Sequence, residues 1–301
     1  MEISVRNNDV IIKNTDSFVI SQTLECGQCF RFEKISEENY IVIALGKLLH
    51  IYFNKDEVVF ENTNIDDFKN IWNRYFDFGR DYKAIKSNLS SMDETLFKAV
   101  KYAPGIRILN QDFFECLISF IISQNNRIPM IKKVVSNISR RYGTCIGDYN
   151  GVEYYSFPQG RDLANATESE LMECKAGFRA KYIIDAVKKY NEGEFDNDKI
   201  SGLSTDELRK KLMEIKGVGP KVADCVMLFS LSRSEAFPTD VWVKRVMSYF
   251  YFGGNDTSLK EIQKMAKEKF GRYEGFAQQY LFNYAREFKI GASEKKAGAK
   301  K

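Results

Sequence analysis

Short apolar runs separated by polar breaks fill the first 62 residues. VIIKN, YIVIAL, LLHIYF and EVVF are rich in β-branched and aromatic residues, and GQ, SEEN, GK and NKDE interrupt the apolar pattern. Runs of this length between turn-forming residues predict antiparallel strands. From Asp66 the apolar spacing lengthens to the helical period and keeps it to about Lys289, as in DFKNIWNRYF, ECLISFIISQ, IKKVVSNISRRY and KYIIDAVKKY. The expected class is therefore α+β, an N-terminal antiparallel sheet followed by a larger, mostly α-helical region. We place the division in APGIRILNQ (103–111), which gives a sheet domain with flanking helices over 1–108 and a helical region over 109–291. Residues 292–301 form a basic tail expected to be disordered. No internal repeat is visible, and no low-complexity stretch precedes the tail.

Composition narrows this picture in three ways. With 301 residues, 44% of them hydrophobic, the chain can bury a substantial core. Its net charge is only +4, but residues 201–301 hold 19 basic and 12 acidic residues, leaving 26 and 29 for the remainder. The basic excess thus lies in the C-terminal third, where a phosphate-facing surface would need it, although four of those lysines belong to the tail. Six cysteines are scattered along a chain that opens without an apolar leader, which fits a reduced, cytoplasmic compartment. Only Cys26 and Cys29 form a CxxC pair, and with His50 the sole histidine no metal site is expected. No apolar run approaches the roughly 18 residues of a membrane span, and a monomer is the default expectation.

The chemistry concentrates in Ser204–Ser230, STDELRKKLMEIKGVGPKVADCVMLFS. Ser204 and Glu207 make a capping box, Leu208, Leu212 and Ile215 share a face, and the helix stops at Gly217. A second helix begins after Gly219, with Pro220 suited to its first turn. Two helices joined by GVG offer backbone N–H groups at a helix N-terminus, a concave site for a phosphate, reached directly or through a bridging cation. A tight turn whose glycines serve the backbone alone explains GVG equally well. Asp240, in FPTDVWVKRVM, stands where an N-cap residue of the next helix belongs. A helix of about 11 residues is roughly 16 Å long, and the nine residues 231–239 reach about 30 Å extended, so the chain can bring Asp240 back beside Lys221.

Across IKGVGPKVADC the chain resembles the helix-hairpin-helix DNA glycosylases, and ECGQCFRF, ISQNNRI, GFRAKY, FPTDV and YEGFAQQYLF extend the resemblance to the 8-oxoguanine DNA glycosylase branch over residues 20–290. It looks like a bacterial or archaeal member of the eukaryotic-type branch, working on the chromosome of a prokaryote. The resemblance implies a bifunctional glycosylase and abasic-site lyase acting on double-stranded DNA that contains 8-oxoguanine, with no cofactor and no iron–sulfur cluster. Lys221 matches the lysine nucleophile and Asp240 the aspartate that stabilises positive charge on the sugar. An ordinary lysine is neutral only on the order of 0.1% of the time at pH 7. Its place in the first helical turn, where the macrodipole disfavours an ammonium, is expected to help.

The same resemblance assigns the base pocket to Gly27, Cys225, Pro238, Gln278 and Phe282. Gly27 would offer a carbonyl to the N7 hydrogen that 8-oxoguanine has and guanine lacks. Cys225 and Phe282 would sandwich the extruded base, and Gln278 would read its Watson–Crick edge. Asn125 matches the residue that fills the vacated space, Arg179 a reader of the estranged cytosine, and Gly217, Val218, Gly219 and Val222 the DNA-facing hairpin. Two positions depart from the family. Met130 replaces an arginine that reads the estranged cytosine, and Trp242 replaces a histidine that contacts phosphate. A thioether donates no hydrogen bond, so weak discrimination of the opposite base is expected. The alternatives are an oxidised-pyrimidine glycosylase of the same superfamily, whose members commonly carry four C-terminal cysteines, an alkylpurine glycosylase using aspartate alone, and a non-catalytic hairpin that only binds DNA. No cysteine follows Cys225 here, and an enzyme using aspartate alone does not require Lys221.

Overall fold

The computed structural model describes residues 1–15 and 17–290; the tail expected to be disordered, 292–301, lies outside the described residues. Six strands, β1 (Glu2–Arg6), β2 (Asp9–Lys13), β3 (Phe32–Ser36), β4 (Asn39–Ala44), β5 (Lys47–Asn54) and β6 (Glu57–Glu61), pair antiparallel in the order β1-β2-β6-β5-β4-β3. The register aligns Val10 with Phe60, Phe60 with Ile51, and Ile51 with Tyr40. This row shares one face and is fully buried against Phe68, Trp72 and Phe76 of the helical run 65–76 that follows β6. Burying an apolar face on a helical layer is what the period-2 alternation demands. The strands β1 and β3 escaped the sequence pattern because they are the sheet edges; β1 is exposed throughout, so it carries no apolar run.

Between β2 and β3 the chain crosses the sheet through a short helix, α1 (Ile20–Leu24), and a loop containing Gly27. Then come α2 (Tyr82–Met92), α3 (Glu94–Tyr102), α4 (Phe113–Ser123), α5 (Ile128–Tyr142), α6 (Ala180–Asn191), α7 (Thr205–Leu212), α8 (Pro220–Ser230), α9 (Val241–Tyr251), α10 (Leu259–Phe270) and α11 (Glu274–Glu287). A two-stranded ribbon, β7 (Cys145–Tyr149) and β8 (Val152–Tyr155), interrupts the stretch expected to be wholly helical. Its strands are largely exposed, and their tyrosines read equally well as part of an amphipathic helix.

The cores do not divide where the chain was expected to. Tyr82, Ile85, Leu89, Leu96 and Val100, from α2 and α3, pack into the helical core, and so do Cys26 and Phe30 from the crossover. Leu109, by contrast, belongs to the sheet core. The two bodies are interlocked around the Gly27 loop, which is what lets a residue of the sheet domain face a helix more than 250 positions later.

Candidate active site

The hairpin forms as its pattern requires. Ser204 and Glu207 complete the capping box, Ser204 N donating to Glu207 Oε2 at 2.8 Å, and Leu208, Leu212 and Ile215 are buried. Arg209 of α7 bonds Asp224 of α8 across the hairpin, Nε to Oδ1 at 2.7 Å, although burial still pushes the Asp224 carboxyl up to about 6. The two glycines differ in kind. Gly217 sits at φ +77°, and a Cβ there would lie 2.5 Å from the Tyr182 ring, so backbone and packing together exclude a side chain. Gly219 has an ordinary φ of −101°, and nothing stands within 4 Å of where its Cβ would be. Neither backbone strain nor packing requires glycine at 219; it serves as the N-cap of α8 and leaves the turn open to close approach from outside.

Val218 and Val222 are buried, and the Val218 N–H donates to the Ile215 carbonyl at 3.0 Å. The side chains of both valines, expected in the DNA-facing hairpin, therefore belong to the core, so only their backbone can face outward. The open backbone of the turn is at Gly219 and the first turn of α8.

Lys221 follows in that first turn, half-buried, with its Nζ 5.0 Å from the centroid of the Phe120 ring on α4. It lines a cavity of about 720 Å³ together with Asp240, Asn125, Met130 and Trp242. Asp240 caps α9, its Oδ1 accepting from Val243 N at 2.8 Å, which fixes the direction of the carboxylate. Pro238, two residues before it, is buried. One helical turn beyond Lys221, burial pushes the Cys225 thiol up to about 11, while Lys221 beside it acts in the opposite sense. Cys225 is thus a neutral, polarisable surface at working pH.

Phe282 of α11 comes within 3.4 Å of the Cβ position of Gly27, which has φ +88°, and neither lines the cavity of Lys221 and Asp240. Gln278, one turn earlier, is buried, and its Oε1 has no hydrogen-bond partner. Leaving such an acceptor unpaired costs about 1–3 kcal/mol. A ligand edge bearing N–H groups would remove that cost.

Asn125 directly follows the C-cap of α4 in the left-handed region, φ +47°, and is exposed at the cavity rim. Arg179 behaves differently from the expectation that it reads a base. It is buried, and its guanidinium donates to the carbonyls of Gln124, Asn125 and Ala176. In this arrangement it braces the Asn125 turn. Phe178 beside it is 54% exposed, and Met130 and Trp242, both exposed, give the cavity lining an apolar part. Sequence reasoning missed Phe178, whose only signal is an aromatic residue just outside the apolar stripe of α6, and Phe120, which reads as one core residue among many.

Cys26 and Cys29 are free, buried thiols, pushed up by burial. Among the described residues no group of three or more His, Cys, Asp or Glu side chains stands together to hold a metal ion, and no helix is long and apolar enough to cross a membrane.

Residues 10–117 match the family model of the 8-oxoguanine DNA glycosylase N-terminal domain, and residues 118–272 match that of the HhH-GPD superfamily of base excision DNA repair proteins. An N-glycosylase/DNA lyase of Saccharomyces cerevisiae is 31% identical, covering 90% of this chain and 84% of the yeast protein. A probable N-glycosylase/DNA lyase of Methanothermobacter thermautotrophicus is 33% identical, over 64% of this chain and 68% of its own. Among solved structures, the Clostridium acetobutylicum 8-oxoguanine glycosylase/lyase bound to duplex DNA with cytosine opposite 8-oxoguanine superposes with a TM-score of 0.91. It is 47% identical, covering 96% of this chain and 99% of that one.

Proposed function

This chain belongs to the helix-hairpin-helix DNA glycosylases, in the 8-oxoguanine glycosylase/lyase family, and on that premise we propose how its residues divide the work. The protein removes 8-oxoguanine from duplex DNA and cleaves at the resulting abasic site. The observation that carries the assignment of roles is that Lys221 and Asp240, from different helices, line one cavity rimmed by Asn125.

The damaged nucleotide swings out of the helix, and Asn125 takes its place in the stack. The base enters between Cys225 and Phe282, with Pro238 supporting the wall, and Gln278 Oε1 accepts from its Watson–Crick edge. The Gly27 carbonyl accepts from N7–H; guanine would oppose it with a lone pair. The neutral Lys221 amine attacks C1′ while the bond from C1′ to the base breaks, and the base leaves with that electron pair and takes up a proton. The Asp240 carboxylate stabilises the positive charge on the sugar in that transition state. Loss of a proton from nitrogen and opening of the sugar give the Schiff base. Removal of a proton from C2′ then expels the 3′ phosphate by β-elimination.

Gly219 and the start of α8 hold a backbone phosphate, and a cation bridging the turn to that phosphate is compatible with this geometry. No bound cofactor takes part in these steps. The enzyme works as a monomer on chromosomal DNA in the cytoplasm. The two hairpin glycines give a separable prediction. Gly219→Ala costs no more than about 1 kcal/mol of stability, as a Gly to Ala change at an N-cap, yet weakens duplex binding about tenfold. Gly217→Ala costs at least about 2 kcal/mol from its left-handed backbone and the Tyr182 overlap. Thermal melting and fluorescence anisotropy with a labelled duplex measure the two effects.

The function itself is tested by single-turnover cleavage of duplexes carrying 8-oxoguanine opposite C, A, G or T, with an undamaged control. Cleavage of the damaged duplexes alone is expected. Because Met130 presents a thioether at the rim, rates should vary little with the opposite base, and Met130→Arg should favour cytosine by about fivefold or more. Cleavage restricted to pyrimidine lesions would overturn the base assignment.

A further inference from the structure

We propose that Gln279 and Gln28 are positioning residues for base recognition, setting where the Gly27 carbonyl stands relative to Gln278 and Phe282. The inference rests on the reading above, in which that carbonyl meets the N7 hydrogen.

The Gly27 loop is tied down on both sides by side chains from elsewhere in the chain. Arg286 donates to the Glu25 carbonyl at 2.7 Å, Gln279 Nε2 to the Cys26 carbonyl at 3.1 Å, and Gln111 Nε2 to the Gln28 carbonyl at 2.7 Å. The Gln28 side chain is itself fully buried and bonded at both ends. Its Nε2 donates to the carbonyls of Thr23 and Arg107, both at 2.7 Å, and its Oε1 accepts from Leu109 N at 2.9 Å. Among the described residues no protein group donates to the carbonyl of Gly27, while those of residues 25, 26 and 28 are all engaged. The loop is held rigidly with one acceptor left over.

The source of the ties matters as much as their number. Gln278 and Phe282 lie on α11, and so do Gln279 and Arg286, which reach back to the loop. One rigid helix therefore carries part of the base pocket and also holds the opposing carbonyl in place. The gap between Gly27 and Phe282 is then a property of α11 and does not depend on the angle between the two bodies. Recognition that rests on a single N–H···O contact needs this, since a hydrogen bond weakens steeply as its geometry degrades. Gln279 is only 2% exposed, and the chain places it 253 residues from the carbonyl it serves.

The test is Gln279→Leu, which keeps the bulk and removes the donor. Two single-turnover reactions are compared with wild type: excision of 8-oxoguanine, and borohydride trapping on a duplex with a preformed abasic site, which has no base to read. Excision should fall about 10- to 100-fold, as for a misplacement near 1 Å, with trapping changed less than about twofold. Arg286→Met, on a half-buried side chain, should give the same split in weaker form and serves if Gln279→Leu folds poorly. Equal losses in both reactions, or none in either, would overturn the proposal. A wild type that traps abasic DNA but removes guanine as readily as 8-oxoguanine would sink the Gly27 assignment and the positioning role with it. Wild-type excision of 8-oxoguanine retained by Gln279→Leu would sink the positioning role alone.

Discussion

Lys221→Gln abolishes the borohydride-dependent cross-link to a duplex containing 8-oxoguanine and lowers excision at least about 10³-fold, a rise in barrier of about 4 kcal/mol at 1.36 kcal/mol per decade. Glutamine keeps most of the length and a polar nitrogen, but an amide nitrogen cannot add to C1′ and form an imine. The fold should be indifferent to the change. Lys221 is half-buried in the first turn of α8, where an ammonium gains nothing from the helix dipole. Melting temperature should therefore hold or rise slightly, and duplex affinity should stay within severalfold of wild type. Lys221 is the only lysine lining the cavity among the described residues, so no neighbour is placed to substitute for it. A variant that still cross-links would move the nucleophile elsewhere and end this account.

The second large effect is expected from Asp240→Asn, because this change separates the capping role of the carboxylate from the catalytic role proposed for it. Asp240 caps α9 through Val243 N, and asparagine caps about as well as aspartate. The helix start, and with it the melting temperature, should survive. What disappears is the negative charge facing the sugar as it becomes cationic, and removing one such preorganised group typically costs about 10²–10³ in rate. Asp240→Ala should lose the same catalytic factor and about 1 kcal/mol of stability besides. The pair of variants, read by single-turnover kinetics and thermal melting, distinguishes charge from cap. Wild-type rates in Asp240→Asn would leave the residue only its structural role.

Much of this was legible in the chain. The strands β2, β4, β5 and β6 come from short β-branched and aromatic runs between turn residues, and the hairpin from a capping box, two glycines and a proline. Asp240 could be picked out as an N-cap, where a carboxylate meets the backbone's unpaired N–H groups, whereas Lys221 stood out through the resemblance of IKGVGPKVADC to the glycosylase hairpin. Their convergence was only permitted by the length of residues 231–239. Edge strands β1 and β3 and the ribbon at 145–155 were not read from the chain, since they lack the contiguous apolar runs of the central strands; β1 has only Ile3 and Val5, both exposed.

The roles of Gln28, Gln279 and Arg179 lay further out of reach. In sequence each is one polar residue among many. In the fold each is buried and donates to backbone carbonyls distant from it or across a turn: Gln28 to Arg107, Gln279 to Cys26, and Arg179 to Asn125. The sequence by itself determined most of the elements and the hairpin turn, because propensity, capping and period act between residues a few positions apart, and its motifs carried the resemblance that nominated Lys221 and Asp240. Only the tertiary structure decided that α11 holds the Gly27 loop, that Val218 and Val222 face inward, and that Gly219 opens onto empty space. Those facts depend on which surfaces meet after the chain has folded back on itself, and no local pattern encodes a contact between residues 26 and 279.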